Sequence, residues 1–159
     1  MERLDAIWNH PVFRTEMERL EQMERDRIYC RHGLPHLLDV ARTAYILSLE
    51  RQTDIPRDVI YAAALLHDIG RAVQYETGTP HEQAGVPLAV AILEQSEFTK
   101  KEQSGIVECV CSHHGRKFGG SSLCDLIFEA DKRSRPCFAC PATSSCKWTE
   151  QQKNRTLTI

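Results

Sequence analysis

The chain has 159 residues, of which 42% are hydrophobic and 26% charged, and 20 basic against 22 acidic side chains give a formal net charge of -2. These values are typical of one globular domain and argue against a disordered or fibrous chain. They provide no general attraction to a nucleic-acid backbone or an anionic membrane, so nucleic acid is unsupported as a partner. The charged N-terminus and the lack of a long apolar run predict no membrane segment and a cytoplasmic location. An oligomer of identical chains stays open.

Apolar residues recur at helical spacing along most of the chain, which predicts an all-α bundle of about six helices. The first helix is expected to end near Ile28, and a polar loop is expected over residues 75–79. Residues 59–66 read VIYAAALL and are apolar on every side, so their helix should lie in the middle of the bundle. In chain order, the helices are expected to begin near Val12, Pro35, Pro56, Pro80, Thr99 and Ser121.

Helical periodicity is lost after Pro136, where cysteines become frequent. We therefore expect two units in the chain. Residues 1–135 should form a helical metal-binding domain, and residues 136–159 a short, irregular, cysteine-containing tail.

His67 and Asp68 come directly after the most apolar helix of the chain. An ionised carboxylate without a partner in a core costs several kcal/mol, and a cation coordinated by both residues removes that cost. The alternative is a helix end, with the imidazole near the helix dipole and the carboxylate in water. Three further helices carry ligand-type residues near one end, namely His36, His113 or His114, and Asp131. Such convergence is typical of metal sites in helical bundles.

Three motifs carry a resemblance to a known family: HLLDVART from residue 36, LLHDIGR over residues 65–71 and EADKR over residues 129–133. In this pattern and order, the chain resembles the HD-domain superfamily over roughly residues 32–133. The resemblance implies an HD-domain-like helical bundle with a metal-dependent phosphohydrolase activity. It also implies that the first metal ion is bound by His36, His67, Asp68 and Asp131, a set suited to Mn, Fe, Zn, Co or Ni.

Superfamily members with two metal ions have additional histidines between the His-Asp pair and the last aspartate. This chain offers His81, His113 and His114 for a second ion, which Asp68 would bridge. The alternative for His81 is a surface position in the first turn of a helix. For His113 and His114 the alternative is a position at a helix C-terminus, where the helix dipole favours a histidine.

A bound divalent ion would activate water for attack on phosphorus, and phosphoryl transfer also needs positive charge around the phosphate oxygens. Asp68 and Lys132 are therefore expected to be catalytic. A small phosphate ester, such as a nucleotide mono- or diester, is the expected substrate. Solvated lysine and arginine side chains are the ordinary alternative. The residues expected to contact the substrate phosphate are Arg71, Arg116 and Lys117.

The tail sequence RPCFACPATSSCKW contains a C-x-x-C pair, Cys137 and Cys140, with Cys146 six residues later. Such a pair with a further cysteine suggests a structural zinc or an iron–sulfur cluster. Loosely ordered free thiols are the alternative. The spacing does not identify the fourth ligand, for which the chain offers Cys30, Cys109, Cys111 and Cys124.

Two other functions are compatible with the motifs. Some HD-domain relatives use a two-iron site as an oxygenase, for which His81, His113 and His114 would suffice. The third possible function is a non-catalytic module that senses a nucleotide or a metal. The presence of all four ligands of the first metal argues against such a module.

Overall fold

In the computed structural model, which describes residues 2–112 and 118–157, all regular structure is helical. The predicted all-α fold is thereby confirmed, and no strand is found among these residues. The helices are α1 (Glu2–Asn9), α2 (Pro11–Met23), α3 (Leu34–Glu50), α4 (Arg57–Leu66), α5 (Arg71–Thr77), α6 (His81–Glu94), α7 (Lys100–Ser112) and α8 (Leu123–Arg133), with a 3-10 turn at Cys137–Ala139.

The structure differs from the expected bundle at three places. It adds the short helix α1, it ends α2 at Met23 rather than near Ile28, and it places α5 where a polar loop was expected. Ala72 is the one buried residue of α5, so this helix has too little apolar periodicity to be recognised. Gly78 ends α5 in the left-handed conformation with φ of 76°, which glycine adopts without steric cost.

Helix α4 lies at the centre of the bundle, as its apolar sequence predicts. Residues 62–64 are all alanine with 0% exposure, and this run of small side chains lets neighbouring helices approach closely. Helix α4 packs against α1, α3, α7 and α8. Because α4 packs against several helices, the position of its C-terminal end is fixed, and so is the start of the segment that follows it.

Among the described helices, none combines the length and the apolar character needed to cross a membrane.

Gly70 is the point at which the segment after α4 touches the start of α6. A Cβ atom built on Gly70 would lie 2.2 Å from the backbone oxygen of His81 and 2.5 Å from the backbone nitrogen of Gly85. Only a residue without a side chain permits this approach. Gly70 therefore sets the distance between His81 and the His67-Asp68 pair.

Glu24, just beyond α2, anchors the loop that leads into α3. Its carboxylate is 3% exposed and accepts hydrogen bonds from the backbone N–H of His32, at 2.6 Å, and from the Tyr75 hydroxyl, at 2.7 Å. The His32 ring also bonds to it through Nδ1. Although burial favours the neutral acid, hydrogen bonding to His32 prevails and lowers the pKa of Glu24 to about 2.

The tail folds back over the C-terminal end of α8. The Asn154 side-chain amide donates to the backbone oxygens of Lys132 at 2.8 Å, Arg133 at 3.2 Å and Arg135 at 2.8 Å. These bonds satisfy carbonyl groups that a helix end leaves without internal partners. The tail is therefore attached to the helix that carries Asp131.

Substituting Gly70→Ala should destabilise the protein by on the order of 3 kcal/mol, because the new methyl group would meet backbone atoms that cannot rotate away. Urea denaturation measures the change. The matched control is Gly105→Ala in α7, where a Cβ has nothing within 4 Å. That substitution should be neutral or stabilising by up to about 1 kcal/mol. Equal changes in unfolding free energy for the two substitutions would contradict the close approach of Gly70 to the start of α6.

Glu24→Gln should make stability less dependent on pH under acidic conditions. A pKa lowered from 4.5 to about 2 contributes stability that is complete above about pH 4.5 and is lost as pH falls through 2. That contribution is roughly 3 kcal/mol. Denaturation at pH 6 and at pH 2.5 should show a smaller difference for the variant than for the unmodified chain. Glu21→Gln, at an exposed position of α2, should leave the difference unchanged.

Candidate metal centre

The four residues predicted as ligands of the first metal come together from three helices. His36 lies in the first turn of α3, His67 and Asp68 directly follow α4, and Asp131 lies in α8. Their exposed fractions are 9%, 0%, 2% and 4%, so all four are buried. Titratable groups at this depth need compensating partners.

His36, His67 and Asp68 each offer one ligand atom, and these three atoms lie within 4.8 Å of one another. In the part of the chain that the structure describes, this is the one such group of histidine, cysteine and acidic side chains. Asp131 borders it, with Oδ1 3.3 Å from His36 Nε2 and 4.0 Å from His67 Nε2. The donor set of two imidazoles and two carboxylates fits a divalent transition metal.

The two oxygens of Asp68 face different partners. Oδ2 lies 3.3 Å from His67 Nε2 and 3.8 Å from His36 Nε2. Oδ1 lies 3.2 Å from His81 Nε2 and 2.9 Å from Arg71 Nε. A carboxylate in this arrangement can bridge two cations, with His81 on the side opposite His36 and His67. His81 is 3% exposed, so the alternative of a surface histidine does not hold.

A hydrogen bond to the backbone orients the His67 ring. Its Nδ1 lies 2.7 Å from the carbonyl oxygen of Ala64, which can only accept, so Nδ1 carries the proton and donates. In the neutral ring, Nε2 is then the nitrogen with a lone pair for a cation.

Charge and burial act in opposite directions on these groups. Burial lowers the pKa of His36 to about 4, so this ring is neutral near pH 7. Burial also disfavours a charged His67, but the neighbouring Asp68 carboxylate outweighs it and raises the pKa of His67. For Asp68 itself, burial opposes ionisation, yet His67 and Arg71 hold its pKa well below the usual range. Asp68 is therefore a carboxylate at neutral pH.

Arg135 places a cation beside two of the predicted ligands. Its Nη2 lies 3.0 Å from His36 Nε2 and 3.0 Å from Asp131 Oδ1. The guanidinium cannot accept a hydrogen bond, so His36 Nε2 is the acceptor. Arg135 was not predicted at this site, although its spacing of four residues from Asp131 is the spacing of neighbours on one helical face.

Lys132 and Arg71, predicted for catalysis and for phosphate contact, both lie at this centre. Lys132 Nζ is 2.6 Å from Asp131 Oδ2 and 5.8 Å from the centre of the Trp148 ring. Arg71 also donates from Nη1 to Gln74 at 3.1 Å. Each is partly exposed, at 27% and 19% of the side chain, so each has a face available to a ligand.

A cavity of about 800 Å³ opens beside the centre, with Asp131 in its lining. Tyr29, Tyr75 and Trp148 give it aromatic surface. Its size is that of pockets for small organic ligands. Among the described residues, six cationic ones line it, Arg27, Arg71, Lys132, Arg135, Lys147 and Lys153.

His32 is a second residue at this site that the sequence motifs did not predict. It is 6% exposed, lines the cavity, and packs edge-on against the His36 ring with 5.9 Å between ring centres. Burial lowers the pKa of His32 even with Glu24 beside it. The pairing with Glu24 spans eight residues outside any regular element, so helical periodicity carried no signal for it.

Some predicted residues remain untested. His113, His114, Arg116 and Lys117 lie outside the described residues, so their proposed contacts with a second metal or with phosphate stay predictions. The tail metal at Cys137, Cys140 and Cys146 also stays a prediction. These thiols are free of disulfides and do not form a second group with the 4.8 Å spacing found for His36, His67 and Asp68.

Comparison with known proteins places this centre in a family. Residues 33–136 match the HD domain family model. An uncharacterized protein of Clostridium beijerinckii is 35% identical over 154 residues, which are 97% of each chain.

Ribonuclease Y 1 of Pediococcus pentosaceus is 37% identical over 93 residues, which are 58% of this chain and 16% of that protein. Ribonuclease Y of Enterococcus faecalis is 32% identical over 106 residues, 67% of this chain and 18% of that protein. This chain therefore corresponds to one small part of those larger proteins.

A crystal structure described as a predicted HD superfamily hydrolase, from an uncultured Thermotogales bacterium, superposes with a TM-score of 0.65 at 20% identity. The superposition covers 89% of this chain and 79% of that one, and it shows the shared fold. The family match spans the segment from the start of α3 to the end of α8, which carries all four predicted ligands of the first metal. This chain belongs to the HD-domain family and has the fold of an HD superfamily hydrolase.

Proposed function

We propose that this protein is a metal-dependent phosphohydrolase that cleaves a small phosphate ester, such as a nucleotide mono- or diester. The observation that carries the proposal is the position of Asp68. This buried carboxylate is shared between His36 and His67 on one oxygen and His81 on the other, next to a cavity rich in cations. That arrangement suits divalent metal chemistry on a phosphate group.

The metal would be held by His36, His67, Asp68 and Asp131, with His81 available to a second ion. A divalent ion there supplies Lewis acidity, which lowers the pKa of a bound water and polarises a phosphoryl oxygen. In the hydrolysis, a water oxygen bonds to phosphorus, the ester P–O bond breaks, and the leaving oxygen takes up a proton. Mn, Fe, Zn, Co and Ni all suit the donor set.

The chain's own cations would bind and orient the phosphate. Lys132 and Arg71 are each fixed by a carboxylate at the centre, and each has an exposed face. Fixed positive charge is effective in phosphoryl transfer, because negative charge is spread over the phosphate oxygens in the transition state. Arg135 sits on His36 and Asp131, so it must give up its contact with His36 Nε2 for that nitrogen to bind a metal.

The cavity supports a substrate with an aromatic group as well as a phosphate. Trp148 and Tyr75 offer ring surface, and the volume of about 800 Å³ accommodates a nucleotide-sized molecule. The names of the ribonuclease Y relatives say that they act on RNA, whose backbone consists of phosphodiesters. This kinship supports a phosphoester as the bond that is cleaved.

Asp68→Asn should lower hydrolytic activity and metal affinity by at least about 100-fold, since even residues behind the ligands of metal sites contribute 10- to 100-fold. The measurement is phosphate or nucleoside release from a panel of esters, with metal content per chain. Asp39→Asn is the control, because Asp39 is exposed on α3 and pairs with Arg42 at 3.8 Å. If activity requires dioxygen instead of water alone, the hydrolase proposal fails in favour of an oxygenase.

Lys132→Gln should lower kcat/KM for phosphate esters by about 10- to 100-fold, because a charge-assisted contact to the phosphate is lost. Steady-state kinetics with the metal-loaded enzyme would measure it. Lys101→Gln, an exposed change in α7, should leave kcat/KM unaltered. An unchanged rate in Lys132→Gln would show that this ammonium does not assist the reaction.

A further inference from the structure

The seven cysteines of the chain occupy three kinds of position. Cys109 and Cys124 belong to the hydrophobic core, and Cys111 is exposed on α7. The remaining four line the cavity beside the metal centre, although Cys30 is more than 100 positions away from the others in the sequence. These four, which we call the thiol cluster, are Cys30, Cys137, Cys140 and Cys146.

Hydrogen bonds on both sides of Cys30 hold its loop against the tail. The Tyr29 hydroxyl donates to the backbone oxygen of Ser145 at 3.3 Å, which ties the residue before Cys30 to the residue before Cys146. On the other side, Arg135 Nη1 donates to the backbone oxygen of Arg31 at 3.3 Å. Cys30 is thus attached near both ends of the tail segment that contains the three other thiols.

The backbone at the C-x-x-C pair has the form of a tight turn. Residues 137–139 make one 3-10 turn, and the backbone N–H of Cys140 donates to the oxygen of Cys137 at 3.3 Å. A turn of this kind brings two thiols to the same side of the chain. Pairs of cysteines two residues apart are a recurring half of structural zinc sites.

We propose that the thiol cluster is a structural zinc site in which Cys30 is the fourth ligand, closing a tetrahedral four-cysteine centre between the α2–α3 loop and the tail. Tetrahedral zinc with Zn–S bonds of about 2.3 Å requires the sulphurs to lie about 3.8 Å apart. No three of the four sulphurs in the thiol cluster lie within 4.8 Å of one another. Metal binding must therefore draw them together by side-chain rotation and small shifts of the tail turns.

Cationic side chains lie beside the thiol cluster. Four thiolates around zinc would carry a net charge of -2, and Arg135, which lines the same cavity as the four cysteines, would offset part of it. Arg27 also lies close, with Nε 2.9 Å from the backbone oxygen of Cys30.

The tail is attached by hydrogen bonds but has almost no hydrophobic core of its own. In the described tail, Cys137 and Ala142 are the buried hydrophobic residues. Trp148, Lys147 and Lys153 nevertheless line the cavity. A zinc ion would fix this wall where a hydrophobic core cannot, because the free energy of metal binding becomes free energy of folding. The thiol cluster would in this way order part of the substrate cavity without taking part in the reaction.

Cobalt substitution tests the proposal on the full chain, because Co²⁺ bound to thiolates absorbs in the near ultraviolet and visible range and Co²⁺ bound to histidine and carboxylate lacks the sulphur bands. The unmodified chain should show the bands of tetrahedral four-thiolate cobalt, and Cys30→Ser should lose part of their intensity and weaken zinc binding at least tenfold. Cys111→Ser is the matched control and should keep both. Full four-thiolate bands in Cys30→Ser would overturn the assignment of Cys30.

Two further measurements keep the proposal open to refutation if Cys30→Ser fails to fold. In the unmodified chain, zinc should protect the four thiols of the cluster from alkylation and leave Cys111 reactive, as read by mass spectrometry. Equal labelling of Cys30 with and without zinc would contradict the proposed zinc site. The second measurement is the metal and sulfide content of the purified chain, and iron with sulfide in place of zinc would also contradict it. Asp68→Asn should retain the thiolate bands, so failure of the phosphohydrolase proposal and failure of the zinc proposal give different results.

Discussion

The burial of the Asp68 carboxylate is the constraint around which this molecule is arranged. A carboxylate with 2% exposure would cost several kcal/mol without compensation, and hydrocarbon neighbours cannot provide it. The compensation comes from His67 next in sequence, from His36 on α3, from His81 on α6 and from Arg71 on α5. Four helices must therefore keep their positions for one charge to be tolerated.

Much of the fold and part of the site follow from local sequence patterns. Helix α4 was predictable because its apolar residues are contiguous, and the His67-Asp68 pair stood out because two polar groups follow that helix directly. Helix α5 was not, because a seven-residue helix with one buried side chain has almost no periodicity. Arg135 and His32 were missed for another reason. Their importance depends on contacts with His36 and Glu24, and a polar residue near a motif is ordinarily solvated.

The contacts of the tail with other parts of the chain could not be predicted from local sequence patterns. Its loss of periodicity correctly indicated irregular structure, and three of its cysteines suggested a ligand set. The contribution of Cys30 depends on the α2–α3 loop lying against the tail, which is secured by bonds such as that from Tyr29 to Ser145. The same irregular segment returns to α8 through Asn154 and supplies Trp148 to the cavity wall. Two segments distant in sequence thus build one surface beside the metal centre.

The balance of charge at the centre connects metal binding to substrate binding. Two buried carboxylates, Asp68 and Asp131, are in contact with three cations, Arg71, Lys132 and Arg135. The cations outnumber the carboxylates, and a divalent ion in the same space would add further positive charge. It would also compete with Arg135 for His36 and Asp131. A phosphate group carries the opposite charge, and in a partly desolvated site the attraction is stronger than in water. Arg71, Lys132 and Arg135 would therefore repel an added metal ion but attract an anionic substrate.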